Sequence, residues 1–69
     1  SSYSLLEELK GLTMPLGIQL DEHDDITNIA QLSKIIENQG DFWIEILVCA
    51  SLLDAAKFSI KNNTAILFN

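Results

Sequence analysis

The sequence predicts an all-α protein, a small three-helix domain with a long central C-terminal helix and a short extended tail. Two observations predict it. Apolar residues recur at helical spacing in three segments separated by glycine, proline and acidic runs. The chain has 69 residues, 48% of them apolar, enough for one small core and too many for a disordered chain. Residues 1–69 therefore read as one helical domain, which could be a piece of a longer protein.

The first helix is predicted over residues 4–12. Ser4 and Glu7 have capping-box spacing. Leu5, Leu9 and Leu12 form one stripe, and Gly11 with Pro15 reads as its end. From Met14 to Leu20, apolar residues alternate with polar or small ones, which predicts an extended connector with one face inward. The acidic run Asp21-Glu22-His23-Asp24-Asp25 follows. It lacks the glycine and the spacing of a calcium loop. It reads as helix-entry electrostatics, with His23 solvated among the acids.

The second helix is predicted over residues 26–39, capped by Asp25 or Thr27. Ile29, Leu32 and Ile36 line its inner face, with Ile26, Ala30 and Ile35 at the margins. Gly40 is placed to stop it in a left-handed conformation, and Asp41 to cap the next helix.

Residues 42–61 carry most information. Phe42, Ile46, Cys49, Leu53, Ala56 and Ile60 form one continuous helical stripe. Ile44, Val48, Ser51, Ala55 and Phe58 form a second, well round the helix. Glu45, Asp54 and Lys57 argue against a membrane span, because each charge near a bilayer centre costs about 2.5–3.5 kcal/mol. A helix apolar on two sides is central to its domain or shared with another chain. Phe42 reads as core, whereas Trp43 falls on a polar seam and could equally anchor a contact. The apolar run Thr64–Phe68 after the Asn62-Asn63 turn is the extended tail, able to pair with residues 14–20 or fold back on the long helix.

Ten acids against four lysines leave a net charge of −6, and arginine is absent. Such a chain is poorly suited to phosphate or anionic lipid, so nucleic acid and membrane are set aside as partners. The acidity suits solubility first and a basic protein partner second. Cys49 is the only cysteine and His23 the only histidine, which removes internal disulfides and Cys/His metal sites. A lone cysteine and no visible signal segment suggest a cytoplasmic setting. Catalytic, cofactor and metal residues are all expected to be absent: no base neighbours Cys49 in sequence, and Gly11, Gly17 and Gly40 form no phosphate loop.

Domains this small usually need a staple, and an oligomer or partner chain remains. The leading expectation is thus a non-enzymatic protein–protein interaction module: oligomerising, adaptor, chaperone-like or inhibitor subunit. Its expected partner-binding residues are Trp43, Ile44, Leu47, Val48, Ser51, Ala55 and Phe58, and its expected partner is another protein or a second copy.

One resemblance offers an alternative. Leu16-Gly17-Ile18-Gln19-Leu20, the acids, and Ile26-Thr27-Asn28-Ile29-Ala30-Gln31-Leu32 resemble the later half of acyl carrier proteins over about twenty residues. The resemblance implies a carrier domain with an attachment serine. The Asp-Ser-Leu motif of that family is absent, however, leaving Ser2 or Ser4 in Ser2-Tyr3-Ser4-Leu5 as a loose substitute.

Overall fold

A computed structural model describes residues 1–62. Among them are three helices and no strand: α1 (Ser2–Leu16), α2 (Ile29–Glu37) and α3 (Trp43–Lys61). The all-α expectation holds, and the expected tail over 64–68 lies outside the described residues.

α3 is the hub. It winds without a break for 19 residues, about 28 Å at 1.5 Å per residue. Both other helices pack on it, while α1 and α2 make no backbone approach within 8 Å of each other. α1 runs antiparallel to α3. The Ser2 and Ser59 hydroxyls meet at 2.7 Å at one end, and Cys49 Sγ lies 3.9 Å from the Leu9 carbonyl in the middle. The core is Leu9 from α1, Ile18 from the connector, Leu32 from α2, and Ile46, Cys49, Leu53 and Ala56 from α3. Four of those seven come from the first predicted stripe of the long helix, which explains why α3 must sit in the centre.

Several local expectations are corrected. α1 begins and ends beyond the predicted limits. Ser1, not Ser4, is the N-cap, its hydroxyl accepting the Ser4 N–H at 3.3 Å. Gly11 and Pro15 lie inside the helix. Pro15 forfeits one helical bond, the one to the Gly11 carbonyl, at a place where Gly11 is open to water. The true stop is Gly17 at φ 74, whose N–H reaches the Met14 carbonyl at 3.1 Å while Ile18 N–H reaches Thr13 at 2.9 Å. Residues 14–16 are thus helical rather than extended. Beyond them, Ile18 points inward, and Leu20 pairs in an isolated antiparallel bridge with Ile26.

α2 starts three residues late because its predicted beginning is used elsewhere. Neither Asp25 nor Thr27 caps it. Asn28, at the N-cap position, turns its amide to the connector: Oδ1 accepts Gln19 N–H at 3.0 Å and Nδ2 donates to the Gly17 carbonyl at 2.8 Å. With the helix entry set this way, Ile29 is 62% exposed instead of buried, and Leu32, Ile35 and Ile36 face α3.

The α2–α3 corner also differs. The left-handed residues are Gln39 and Phe42, not Gly40. Gly40 is there for closeness: a Cβ would stand 3.2 Å from Ile35 Cγ2. Asp41 caps nothing. Phe42 takes the N-cap of α3 at φ 62, which swings its ring out of the core stripe and leaves it 62% exposed.

Candidate functional site

Two surfaces stand out, one charged and one apolar. The charged one is built around the turn Asp21–Asp25. Asp21 closes the turn on itself: its Oδ1 accepts the N–H groups of His23 at 2.8 Å and Asp25 at 3.0 Å, and its own N–H donates to the Asp25 carbonyl at 2.9 Å. Those two backbone donors hold the Asp21 carboxyl below its ordinary value of 3.8. Asp24 adopts φ 63, a conformation aspartate tolerates because its short side chain can bond locally.

Lysines clip this turn to the bundle. Lys10 Nζ of α1 lies 3.2 Å from the Asp24 carboxylate, and that hydrogen bond raises the Lys10 pKa. Lys57 of α3 binds the Asp25 carboxylate and donates to the Asp24 carbonyl at 3.0 Å. Two of the four lysines are therefore spent on the acidic turn itself. Glu7 shares Lys10 at 3.8 Å, and Glu22 lies 3.4 Å from His23. Glu8, Glu37, Asp41, Glu45 and Asp54 are exposed and appear in none of these pairs. Nine of the ten acids are exposed, and Asp24 is half-buried. This is why the negative charge is presented outward: the acids lie on helix exteriors and a turn, while Lys10 and Lys57, two of the four lysines, lean inward.

The apolar surface is a groove of about 520 Å³ between α1 and the first half of α3. Leu12 and Pro15 of α1 form one wall and Ile44, Val48 and Leu52 of α3 the other, with Phe42, at the start of α3, also lining it. Glu45 is the one charged residue lining it.

The predicted partner-binding residues divide among three settings. Ile44 and Val48, each about half exposed, belong to the groove. Leu47, Ser51 and Phe58 are exposed outside it, with Ser51 Oγ donating to the Leu47 carbonyl at 2.8 Å. Trp43 and Ala55 are half-buried. Leu12, Pro15 and Phe42 were not foreseen as surface-forming. Leu12 and Phe42 fit core stripes by periodicity, yet they are 52% and 62% exposed, Phe42 because it takes the N-cap of α3.

Chemistry at other positions is sparse. Cys49 is buried, and desolvation pushes its thiol up, the opposite of what a nucleophile needs. Among the described residues no group of three or more His, Cys, Asp or Glu could hold a metal ion. No described helix is long and apolar enough to cross a membrane.

No curated protein and no solved structure matches the chain. A family model with the description "Putative DNA-mimic protein" matches residues 1–68. That match overturns two expectations. The first is the oligomerising or adaptor module defined by the apolar stripe, together with its carrier alternative. Of the two attachment serines that the carrier reading offered, Ser2 is half-buried against Ser59 and Ser4 is exposed. The second is the partner expectation, a protein or second copy with nucleic acid left out of account, which ignored that negative charge can stand in for phosphate. Nearly the whole chain is covered, and it belongs to this DNA-mimic family.

Proposed function

We propose that this protein imitates the charge of DNA and thereby occupies the nucleic-acid site of a DNA-binding protein. The observation that carries the reading is the outward display of carboxylates on a chain without arginine, two of whose four lysines are withdrawn into its own acidic turn. A protein that binds DNA presents lysines and arginines to neutralise phosphate. Carboxylates held on a folded surface offer those cations an alternative.

The magnitudes limit the footprint. The described residues extend 35 Å along their longest axis. A duplex of that length carries about 20 phosphate charges at one per ~1.7 Å. This chain has ten acids and a net charge of −6, so it can reproduce one side of a short duplex and no more. No chemical step is required, because occupancy alone blocks DNA. The mode is non-enzymatic, and its place of action is the compartment where DNA-binding proteins work.

The test is competitive. Extract from the source cells is treated with nuclease and passed over the immobilised protein, and the column is developed with duplex DNA. Proteins released by DNA, and released more easily as salt rises, support mimicry. Failure of duplex DNA to release anything beyond a column of the Asp21→Asn/Glu22→Gln variant would refute it.

A further inference from the structure

We propose that the groove between α1 and α3 receives a basic amphipathic helix of the DNA-binding partner, so that the mimic holds its target by apolar insertion as well as by charge. The inference rests on the reading of the chain as a DNA mimic and specifies which part of the target it takes. Three observations carry it.

The first is charge complementarity. Among the described residues, Glu45 is the only charged residue of the lining, and no lysine contributes to it. Lys10 and Lys57 are committed to the acidic turn, and Lys34 lies on α2, which contributes nothing to the lining. Lys61 stands sixteen residues from Glu45 along α3, about 24 Å away. Glu8, one helical turn before Leu12, and Asp41, beside Phe42, add further negative charge near the two walls. A greasy trough with an acidic border suits a helix that has an apolar stripe flanked by arginine or lysine. DNA-reading helices carry such basic residues because they enter the major groove, which is about 12 Å wide and admits one helix.

The second is shape. Leu12 is 52% exposed, Ile44 52% and Val48 50%, so the trough is open along its length. An open trough between two helices is the usual seat of a third, which lays residues at i, i+3, i+4 and i+7 into it.

The third is Phe42. A bulky residue at φ 62 is an outlier among side chains that carry a Cβ. Here the strained backbone places an aromatic ring at the groove mouth, where it remains 62% exposed and gains little burial within its own chain. Strain retained for an exposed aromatic is explained when the ring serves a contact outside the chain.

The charge deficit makes such a contact necessary. With ten carboxylates against about 20 phosphates on an equally long duplex, and a net charge of only −6, carboxylates alone compete poorly for a site evolved for phosphate. Apolar burial in the groove supplies what charge does not.

The experiment uses the whole protein and two stapled helical peptides of identical composition. One places leucines on a single stripe flanked by arginines; the other distributes the same leucines around the helix. The striped peptide is expected to bind about tenfold more tightly. Methyl and backbone-amide chemical-shift changes are expected to centre on Leu12, Ile44, Val48 and Leu52. Phe42→Gly is expected to keep or raise the thermal midpoint, since glycine relieves the left-handed backbone, and to weaken striped-peptide binding about fivefold. Phe58→Ser, an exposed aromatic outside the groove, is expected to leave binding unchanged. Equal affinity for both peptides, shifts centred on Asp21–Asp25, or Phe42→Gly binding as well as the parent would each overturn the inference. Those outcomes would leave charge mimicry standing, because mimicry is read separately from elution by duplex DNA.

Discussion

The acidic turn and the apolar groove are built by opposite routes. The turn is local: Asp21 organises residues 21–25 through bonds spanning two to four positions, and Lys10 and Lys57 attach it to the bundle. The groove has no local existence. Leu12 and Val48 are far apart in sequence and share a wall-to-wall space only because α1 runs antiparallel along α3. The difference teaches that the charged surface should survive changes that loosen the bundle slightly, whereas the groove depends on the full packing of α3.

The largest expected effect tests that dependence. Leu53 is 0% exposed at the centre of α3. Leu53→Ala should cost about 2–5 kcal/mol. A chain of this size has only about 3–10 kcal/mol in total. Thermal unfolding followed by circular dichroism should show a steep fall in midpoint or loss of cooperativity. A midpoint within a few degrees of the parent would mean that the core is not organised around α3.

Next comes the junction between the two regions. Gly17 at φ 74 ends α1 and launches the connector. Gly17→Ala should destabilise by about 1–2 kcal/mol, because an L-residue with a Cβ resists that conformation. Denaturant titration with an unchanged slope would read this directly.

A smaller effect separates the turn from the bundle. Lys57→Met removes the clasp on Asp25 and the bond to the Asp24 carbonyl. Global stability should fall by no more than about 1 kcal/mol, since such pairs near solvent are weak. Amide hydrogen exchange at 21–25 should nevertheless accelerate while α3 amides stay protected. Equal acceleration in both would contradict the independence argued above.

The pH response should be confined to the turn. Asp21 has its folded pKa lowered below 3.8 by the His23 and Asp25 N–H groups, so its contribution is complete above about pH 4 and is lost as pH falls through the lowered value. Carboxyl-carbon NMR should show Asp21 titrating below the ordinary aspartate range, with the His23 and Asp25 amide signals moving together with it. An ordinary titration of Asp21 would mean that those bonds do not persist in solution. The smallest effect is expected at Phe58, 66% exposed, where Phe58→Ser should change stability by less than about 0.5 kcal/mol.

The fold class was legible because helical periodicity is a local signal. The stripe Ile46, Cys49, Leu53 and Ala56 is buried as its spacing requires. The boundaries were less legible. Ser4, Gly11, Asp25, Gly40 and Asp41 all had suitable chemistry for caps or stops, and a neighbour took the role each time, because cap choice depends on which backbone group the tertiary packing leaves unpaired. The family's theme was legible only as a net charge of −6, which alone is equally an aid to solubility.

By itself, then, the sequence determined three helices, a long central one, and an excess of carboxylates over cations, since these follow from residue type and spacing along one chain. The tertiary structure alone decided that Lys10 and Lys57 turn toward the acidic run, that Phe42 leaves the core, and that Leu12 and Val48 line one open trough. The physical reason is that each of these outcomes is settled between segments distant in sequence, where the direction of helix packing, rather than the periodicity of either helix, sets which side chains meet.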